Sequence, residues 1–309
     1  MKREITSLLA IVIATLCHAS VYTSVKDGVF TDPSVWGIED GKFNISETDD
    51  IVIAHKVEIN VQNIKVNDMK ITSSGRLTKY KNQWSCTVEV YGDFENNGYL
   101  GYEVDGMPDM NYFCNTYGYI SLNLYGNLYN FGCTRPYTLE FRGKDQTITA
   151  SKAIEAGKVV LKGSEGNITA QTDVTFHNSH ITMWNGAVTD SKFKALDMGD
   201  HKLTLSADSV KEGETDWRCW MEDAHLTFGK EGKLALDNAV MRKCTIDGED
   251  ITFTSSGYGF MLKGNTINSD VVFRSGKFVV GETSWNENNH LLINGNVKNF
   301  ARINADSIL

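Results

Sequence analysis

The chain has 309 residues, is 41% hydrophobic and carries 27 glycines against three prolines. That is enough apolar material for a substantial core, and the balance excludes collagen-like and disordered chains. The formal net charge is −9, and an acidic surface argues against nucleic acid as a partner.

Residues 1–19 open with Met1-Lys2-Arg3, run through an apolar stretch from Ile5 to Leu16 and close on small residues around Cys17 and Ala19. A basic start, a short apolar run and a small-residue end predict a secretory signal peptide. Its removal takes away Lys2, Arg3 and Glu4 and leaves the exported chain at −10. Cys17 offers lipid anchoring as a second export route, but Leu16 stands where a small residue normally precedes the cut, which disfavours it. No other apolar run approaches the roughly 20 residues of a membrane-spanning helix.

Next comes DGVFTDPSVWGIEDGKFNISETDDIVIAHKVEINV at 27–61. A Trp follows Asp-Pro, a polar loop ends in Asp49-Asp50, and Ile51, Ile53, Val57 and Ile59 then alternate ahead of ITSSGRLTKY. This segment resembles the opening of G8-like β-helix segments, which occur in extracellular proteins and in large bacterial surface proteins. The resemblance implies an N-terminal cap at 20–50, in which Trp36 covers the open end of the first coil, and a β-helix over 51–309. A proline common before the acidic pair in such segments is missing here, since Phe43 to Thr48 contains none.

The stretch TVEVYGDFENNGYLG at 87–101 returns as SLNLYGNLYNFGCT at 121–134 and HLLINGNVKNFARI at 290–303. Aligned on Gly92, Gly126 and Gly295, the apolar positions coincide, and Asn96, Asn130 and Asn299 occupy one place. Alternation with period two, broken by Gly and Asn, predicts β-strands. A strand-turn-strand unit that cannot bury its own apolar face must stack on its neighbours. The predicted fold is therefore all-β, a single-stranded parallel β-helix, with the repeated asparagines bonding to the coil above. Gly186, Gly232 and Gly276 stand 46 and 44 residues apart, which fits pairs of coils of roughly 22 residues. About 12 such coils at about 4.8 Å each would make a rod on the order of 55 Å long.

Between the first two copies lies GYEVDGMPDMNYFCNTYGY at 101–119. An insertion projecting from a solenoid carries function more often than a strand does. Rings near carboxylates suit sugar recognition, the ring packing on the apolar side of a pyranose while the polar groups take its hydroxyls. Tyr102, Asp105, Asp109, Tyr112 and Tyr117 are the expected ligand contacts. Further on, TLEFRGKDQTIT at 138–149 resembles the turn unit of repeated β-helix regions in secreted bacterial adhesin-like proteins. In KEGETDWRCWMED at 211–223 the alternation lapses, which predicts a loop or short helix with Trp217 and Trp220 in the core.

Chemistry is not spelled out along the chain. Cys86, Cys114, Cys133, Cys219 and Cys244 follow the leader with no Cys-x-x-Cys pair, so a structural zinc site has no support. Cys114 and Cys133 are placed to bridge, although buried, inert thiols are the preferred reading. Asp49-Asp50 lies in the cap, Arg142-Gly143-Lys144 matches one element of a polygalacturonase-like set, and the DGED at 247–250 reads as a solvated turn rather than a calcium site. His177 and His180 are the one close histidine pair after the leader, and no His-Glu-x-x-His, phosphate loop or Gly-x-Ser-x-Gly is present. No catalytic residue, metal or cofactor is therefore assigned.

The expectation is an exported, non-enzymatic, adhesin-like protein of the cell surface or secreted medium that binds a glycan or a protein. A polysaccharide lyase or glycoside hydrolase and a structural envelope component are the alternatives. INADSIL directly follows the last copy, so the C-terminal end of the solenoid is expected to be exposed and open to self-association.

Overall fold

The computed structural model describes residues 20–39, 41–81, 85–101, 119–161, 166–182, 195–208, 219–262, 264–281 and 291–305. Residues 1–19, the expected signal peptide, and the expected ligand contacts Tyr102, Asp105, Asp109, Tyr112 and Tyr117 lie outside them. The described chain is all-β apart from one turn of 3₁₀-helix at Pro33–Trp36.

Each pass of the chain lays down up to three short strands, and each strand pairs in parallel with its counterparts one pass earlier and one pass later. The pairings form three ladders. The first runs through Val21–Thr23, Asp50–Ile53, Met69–Ile71, Phe94–Asn96, Leu128–Asn130, Gln146–Ala150 and Ile168–Ala170. It continues through Leu196–Gly199, His225–Phe228, the start of Thr245–Leu262, the start of Asn265–Val280 and Leu291–Ile293. The second begins at Gly28–Val29 and Lys56–Ile59 and reaches Val297–Asn299, with an isolated bridge at Ile154 carrying it past the middle. The third begins at Asn63–Val66 and ends at Arg302–Ala305. This continuous parallel stacking is consistent with a β-solenoid.

Alternation decides which residues face inward. In the third ladder Ile64, Val88, Leu122, Leu139, Val159, Ile181, Met221, Met241, Met261 and Val280 occupy one column, each paired with the next. All are buried. A second column stacks Leu203, Leu234, Phe253 and Phe273, the two rings 5.1 Å apart and nearly parallel. Because a slip of one residue would turn a whole inward set outward, the apolar pattern itself holds the register.

Stacking begins earlier than the sequence indicates. Val21–Thr23 and Gly28–Val29 already pair with Asp50–Ile53 and Lys56–Ile59, so residues 20–50 contribute the first strands of two ladders. Trp36 is buried with its ring stacked on Phe43 at 4.7 Å, and its indole N–H donates to the Phe30 carbonyl at 2.8 Å. Asp49 is buried beneath this segment and accepts from the Ser20 and Ser46 backbone amides and the Ser46 hydroxyl. Burial pushes its carboxyl up, yet these hydrogen bonds together hold it below the usual value. Asp50 accepts from Asn67 and from the Asp68 amide, so this pair is structural.

The passes are also less regular than an even 22 residues. Stacked partners are 18 residues apart from Ile51 to Met69 and 34 from Phe94 to Leu128, where the insertion lies. Of the three repeat copies, the first two are direct neighbours: Val88 pairs with Leu122, Phe94 with Leu128 and Asn96 with Asn130. Gly126 packs so closely on the Gly92 carbonyl that a Cβ there would overlap it. The third copy is shifted by one ladder, with Leu291 in the first and Val297 in the second. A Gly-Asn or Gly-Asp turn marks a corner, and it serves two different corners here.

That shift separates the asparagines. Asn96 and Asn130 are fully buried. Asn96 donates to the Cys133 carbonyl and the Thr134 hydroxyl, Thr134 in turn donates to the Asn130 side-chain oxygen at 2.6 Å, and Asn130 donates to the Lys152 carbonyl. Asn299 is exposed and only accepts from the Ala301 amide. At another corner a run of side chains ties level to level: Asp50 accepts from the Asp68 amide, Asp68 from that of Asp93, Asp93 from that of Asn127, and Asn127 from that of Thr147. Replacing Asn130 by Ala strands the Thr134 hydroxyl and is expected to cost about 1–3 kcal/mol. Asn299→Ala is expected to stay within about 0.5 kcal/mol of the parent, both read from denaturant unfolding curves.

Candidate functional site

The insertion leaves the second ladder at Tyr99–Gly101 and returns to the third at Tyr119–Leu124. Gly101 has φ 137° and sits against the Arg135 backbone, so an L side chain is excluded where the chain departs. Residues 102–118 lie outside the described chain; the strands that flank them are defined.

These strands present tyrosines outward. Tyr119 is 37% exposed and its ring lies 4.9 Å from that of Tyr137, tilted by 45°. On the other flank the Arg76 guanidinium stands 5.9 Å from the centre of the Tyr99 ring. Just past the far end of Tyr119–Leu124, Tyr125 stacks on Tyr91 at 4.8 Å and 16°. The Tyr91 hydroxyl donates to Glu89, and that bond raises the phenol above its usual value. Lys65 and Arg142 border this pair, bonded to Glu89 and Glu140. Six residues of strand, about 20 Å, separate Tyr119 from Tyr125. The outer surface of one strand is thus bracketed by two aromatic pairs, and the polar rim of the Tyr91–Tyr125 pair is already ordered.

These rings were partly legible. Tyr91 and Tyr125 precede the aligned glycines of the first two copies, so vertical stacking of those copies requires them to meet. Arg142 of the Arg-Gly-Lys triplet bonds to Glu140 and is not left as a free cation. Asp247 of the DGED turn accepts from Asn268 and pairs with His225 at 2.6 Å. Among the described residues no group of His, Cys, Asp or Glu is arranged to hold a metal ion.

The four described cysteines, Cys86, Cys133, Cys219 and Cys244, are free thiols, and Cys114, the expected partner of Cys133, lies outside the described residues. Burial pushes Cys86, Cys219 and Cys244 up to about 12, where no thiolate forms near neutral pH.

His177 faces Ser206 through Nδ1 at 3.0 Å and Asp208 through Nε2 at 3.4 Å. The three residue types are those of a serine hydrolase triad, but the ring nitrogens are reversed, with serine on Nδ1 and aspartate on Nε2, and Asp208 is 63% exposed and is also bonded by the Asn178 amide. His177 and Ser206 are direct strand partners, and the set clasps one level to the next.

Trp220 is not in the core as its sequence context implies. It lies in the strand Trp220–Glu222, whose inward residue is Met221; Trp217 falls outside the described residues. The indole stands between the His180 ring, edge-on at 4.5 Å, and the Arg242 guanidinium at 4.6 Å, and Arg242 pairs with Glu222. The alternation resumes at Cys219, which puts Trp220 on the outer side. Burial, with repulsion from Lys158 and Arg242, pushes His180 down to about 4.

Comparison with family models, with curated proteins and with solved structures returns no match.

His180 makes stability depend on pH. Above about pH 6.5 the imidazole is neutral in both folded and unfolded chains and contributes nothing. Between about 6.5 and 4 the unfolded chain takes up a proton that the folded chain refuses, so stability falls as pH drops through that window. Denaturation midpoints near pH 7 and pH 5 are expected to differ more in the parent than in His180→Asn, by about 1 kcal/mol once the ring's partial exposure is allowed for.

Proposed function

We propose that the chain is an exported, single-stranded parallel β-helix that acts without catalysis as an adhesin-like surface or secreted protein. It binds a glycan, or a partner protein, at the insertion and the tyrosines around it. The observation that carries this reading is the outward pair Tyr119 and Tyr137, 4.9 Å apart beside the insertion. Aromatic faces pack on the C–H side of a sugar ring, and nearby charged groups take its hydroxyls. The basic, apolar and small-residue order of 1–19 supports export. Among the described residues no helix is long and apolar enough to cross a membrane.

The test is a glycan-array screen of the chain from Ser20, run beside an assay for reducing-sugar release on the same polysaccharides. Binding without release is expected. Tyr119→Ala and Tyr137→Ala should each weaken it about fivefold, in line with about 1 kcal/mol for an aromatic contact, and deletion of 103–117 should abolish it. Sugar release by the parent would replace this reading with a lyase or hydrolase.

The last strands support a contact with a second copy. Val297 is 46% exposed and Phe300 74%, both in the last level of the stack. Light scattering across a concentration series should report a mass that rises with concentration, and Phe300→Ser should suppress the rise; a monomer throughout would count against self-association.

A further inference from the structure

A second feature lies further along the second ladder, four steps of about 4.8 Å from the strand that launches the insertion. There the outer surface forms a groove of about 470 Å³ lined by Lys202, Glu231, Lys233, Asp250, Thr252, Thr254 and Arg274. Three cations meet there in a chain whose net charge is −9.

The backbone places them. Lys202 pairs with Lys233, and Lys233 with Thr252, so two lysines stand one above the other in one outward column. Thr254 lies one column over, and Arg274 comes in at a register shift between Phe273 and Ser275. Glu231 and Asp250 precede the paired residues Gly232 and Ile251, which sets them side by side along the corner.

Five outer cations elsewhere are neutralised by carboxylates. Lys65 pairs with Glu89, Lys70 with Glu95, Arg135 with Glu155, Arg142 with Glu140 and Arg242 with Glu222. Among the described residues, the side chains of Lys202, Lys233 and Arg274 make no ion pair or hydrogen bond, although two carboxylates line the same groove. Like charges directly opposite on neighbouring strands are unfavourable, and an anion between the two lysines removes that repulsion.

We propose that this groove is a binding site for an anionic saccharide, one carrying a carboxylate or sulfate on a hydroxyl-rich ring. Lys202, Lys233 and Arg274 take the negative group by charge-assisted hydrogen bonds. Glu231 and Asp250, which only accept, take ring hydroxyls, and Thr252 and Thr254 serve either. The mixed lining selects the ligand class: a plain polyanion such as an acidic peptide would face two carboxylates with no hydroxyls to offer them. The groove is separate from the tyrosine surface and stands whether or not that surface binds a neutral glycan.

The experiment measures affinity of the chain from Ser20 for polygalacturonate, dextran sulfate, neutral dextran and polyglutamate at two salt concentrations. One of the two anionic polysaccharides, or both, should bind more weakly as salt rises; which of them binds identifies the anion as carboxylate or sulfate. Lys202→Gln/Lys233→Gln/Arg274→Gln should lose tenfold or more, with an unchanged circular dichroism spectrum. If that variant fails to fold, the exposed single change Lys233→Gln should still lose several-fold. Glu231→Gln/Asp250→Gln should raise polyglutamate binding relative to polysaccharide, and Tyr119→Ala should leave the anionic ligands unaffected. Equal binding of parent and triple variant, or polyglutamate binding the parent as tightly as polygalacturonate, would overturn the proposal.

Discussion

Everything in this molecule depends on backbone hydrogen bonds between one level and the next, made in parallel and in a register that sets inward residue on inward residue. A single level has little interior of its own. Val88 or Leu122 is buried because it has a partner above and below and because strands of the other two ladders close the space between. Functional groups follow from the same register. Tyr91 meets Tyr125, and Lys202 meets Lys233, because the levels beneath them are aligned to the residue.

Corners set the second constraint. A chain that turns three times per level leaves backbone amides at the bends without a ladder partner, and buried or half-buried amides need acceptors. Asp50, Asp68, Asp93 and Asn127 supply them in succession, and Asp270 does the same for Asn296. Asn178, Asp223, Asn238 and Lys243 turn other corners with φ between 48° and 56°, a conformation that Asn and Asp tolerate better than most residues. Part of the acidic balance is therefore architectural. It accounts for carboxylates that bond to backbone and says little about what the surface attracts, which is why a cationic groove coexists with an overall negative charge.

Strand type, the stacked first two copies and the inward set around Ile51, Ile53, Val57 and Ile59 were legible, since alternation and Gly-Asn punctuation are local signals of burial. Level length was not. Stacked partners stand 18 residues apart at one level and 40 at another without disturbance to the ladders, so a mean period read from glycines does not locate a level. The phase of the third copy was equally hidden, because the same turn chemistry serves two different corners. Trp220 was misplaced for a related reason: spacing of three residues means a shared face on a helix but opposite faces on a strand. The cationic groove had a signal that composition alone conceals, namely that Lys202-Leu203-Thr204-Leu205 and Lys233-Leu234-Ala235-Leu236 are copies of one strand. Tyr102, Asp105, Asp109, Tyr112 and Tyr117 remain readings of the sequence.

The two long strands, Thr245–Leu262 and Asn265–Val280, go round all three ladders without leaving strand conformation, bending at register shifts after Asp247 and around Thr254. Their corners are made by the paired backbone itself, whereas the early levels turn through loops that carry no ladder. Extra residues at an early bend need not disturb the wall: Gly101 and Tyr119, on either side of the insertion, both keep their strand partners. Within these two strands one added residue would have to move through the pairing of two neighbours. The molecule thus has bends where new surface can be grafted at little cost to the wall, and two continuous strands where change is confined to outward side chains.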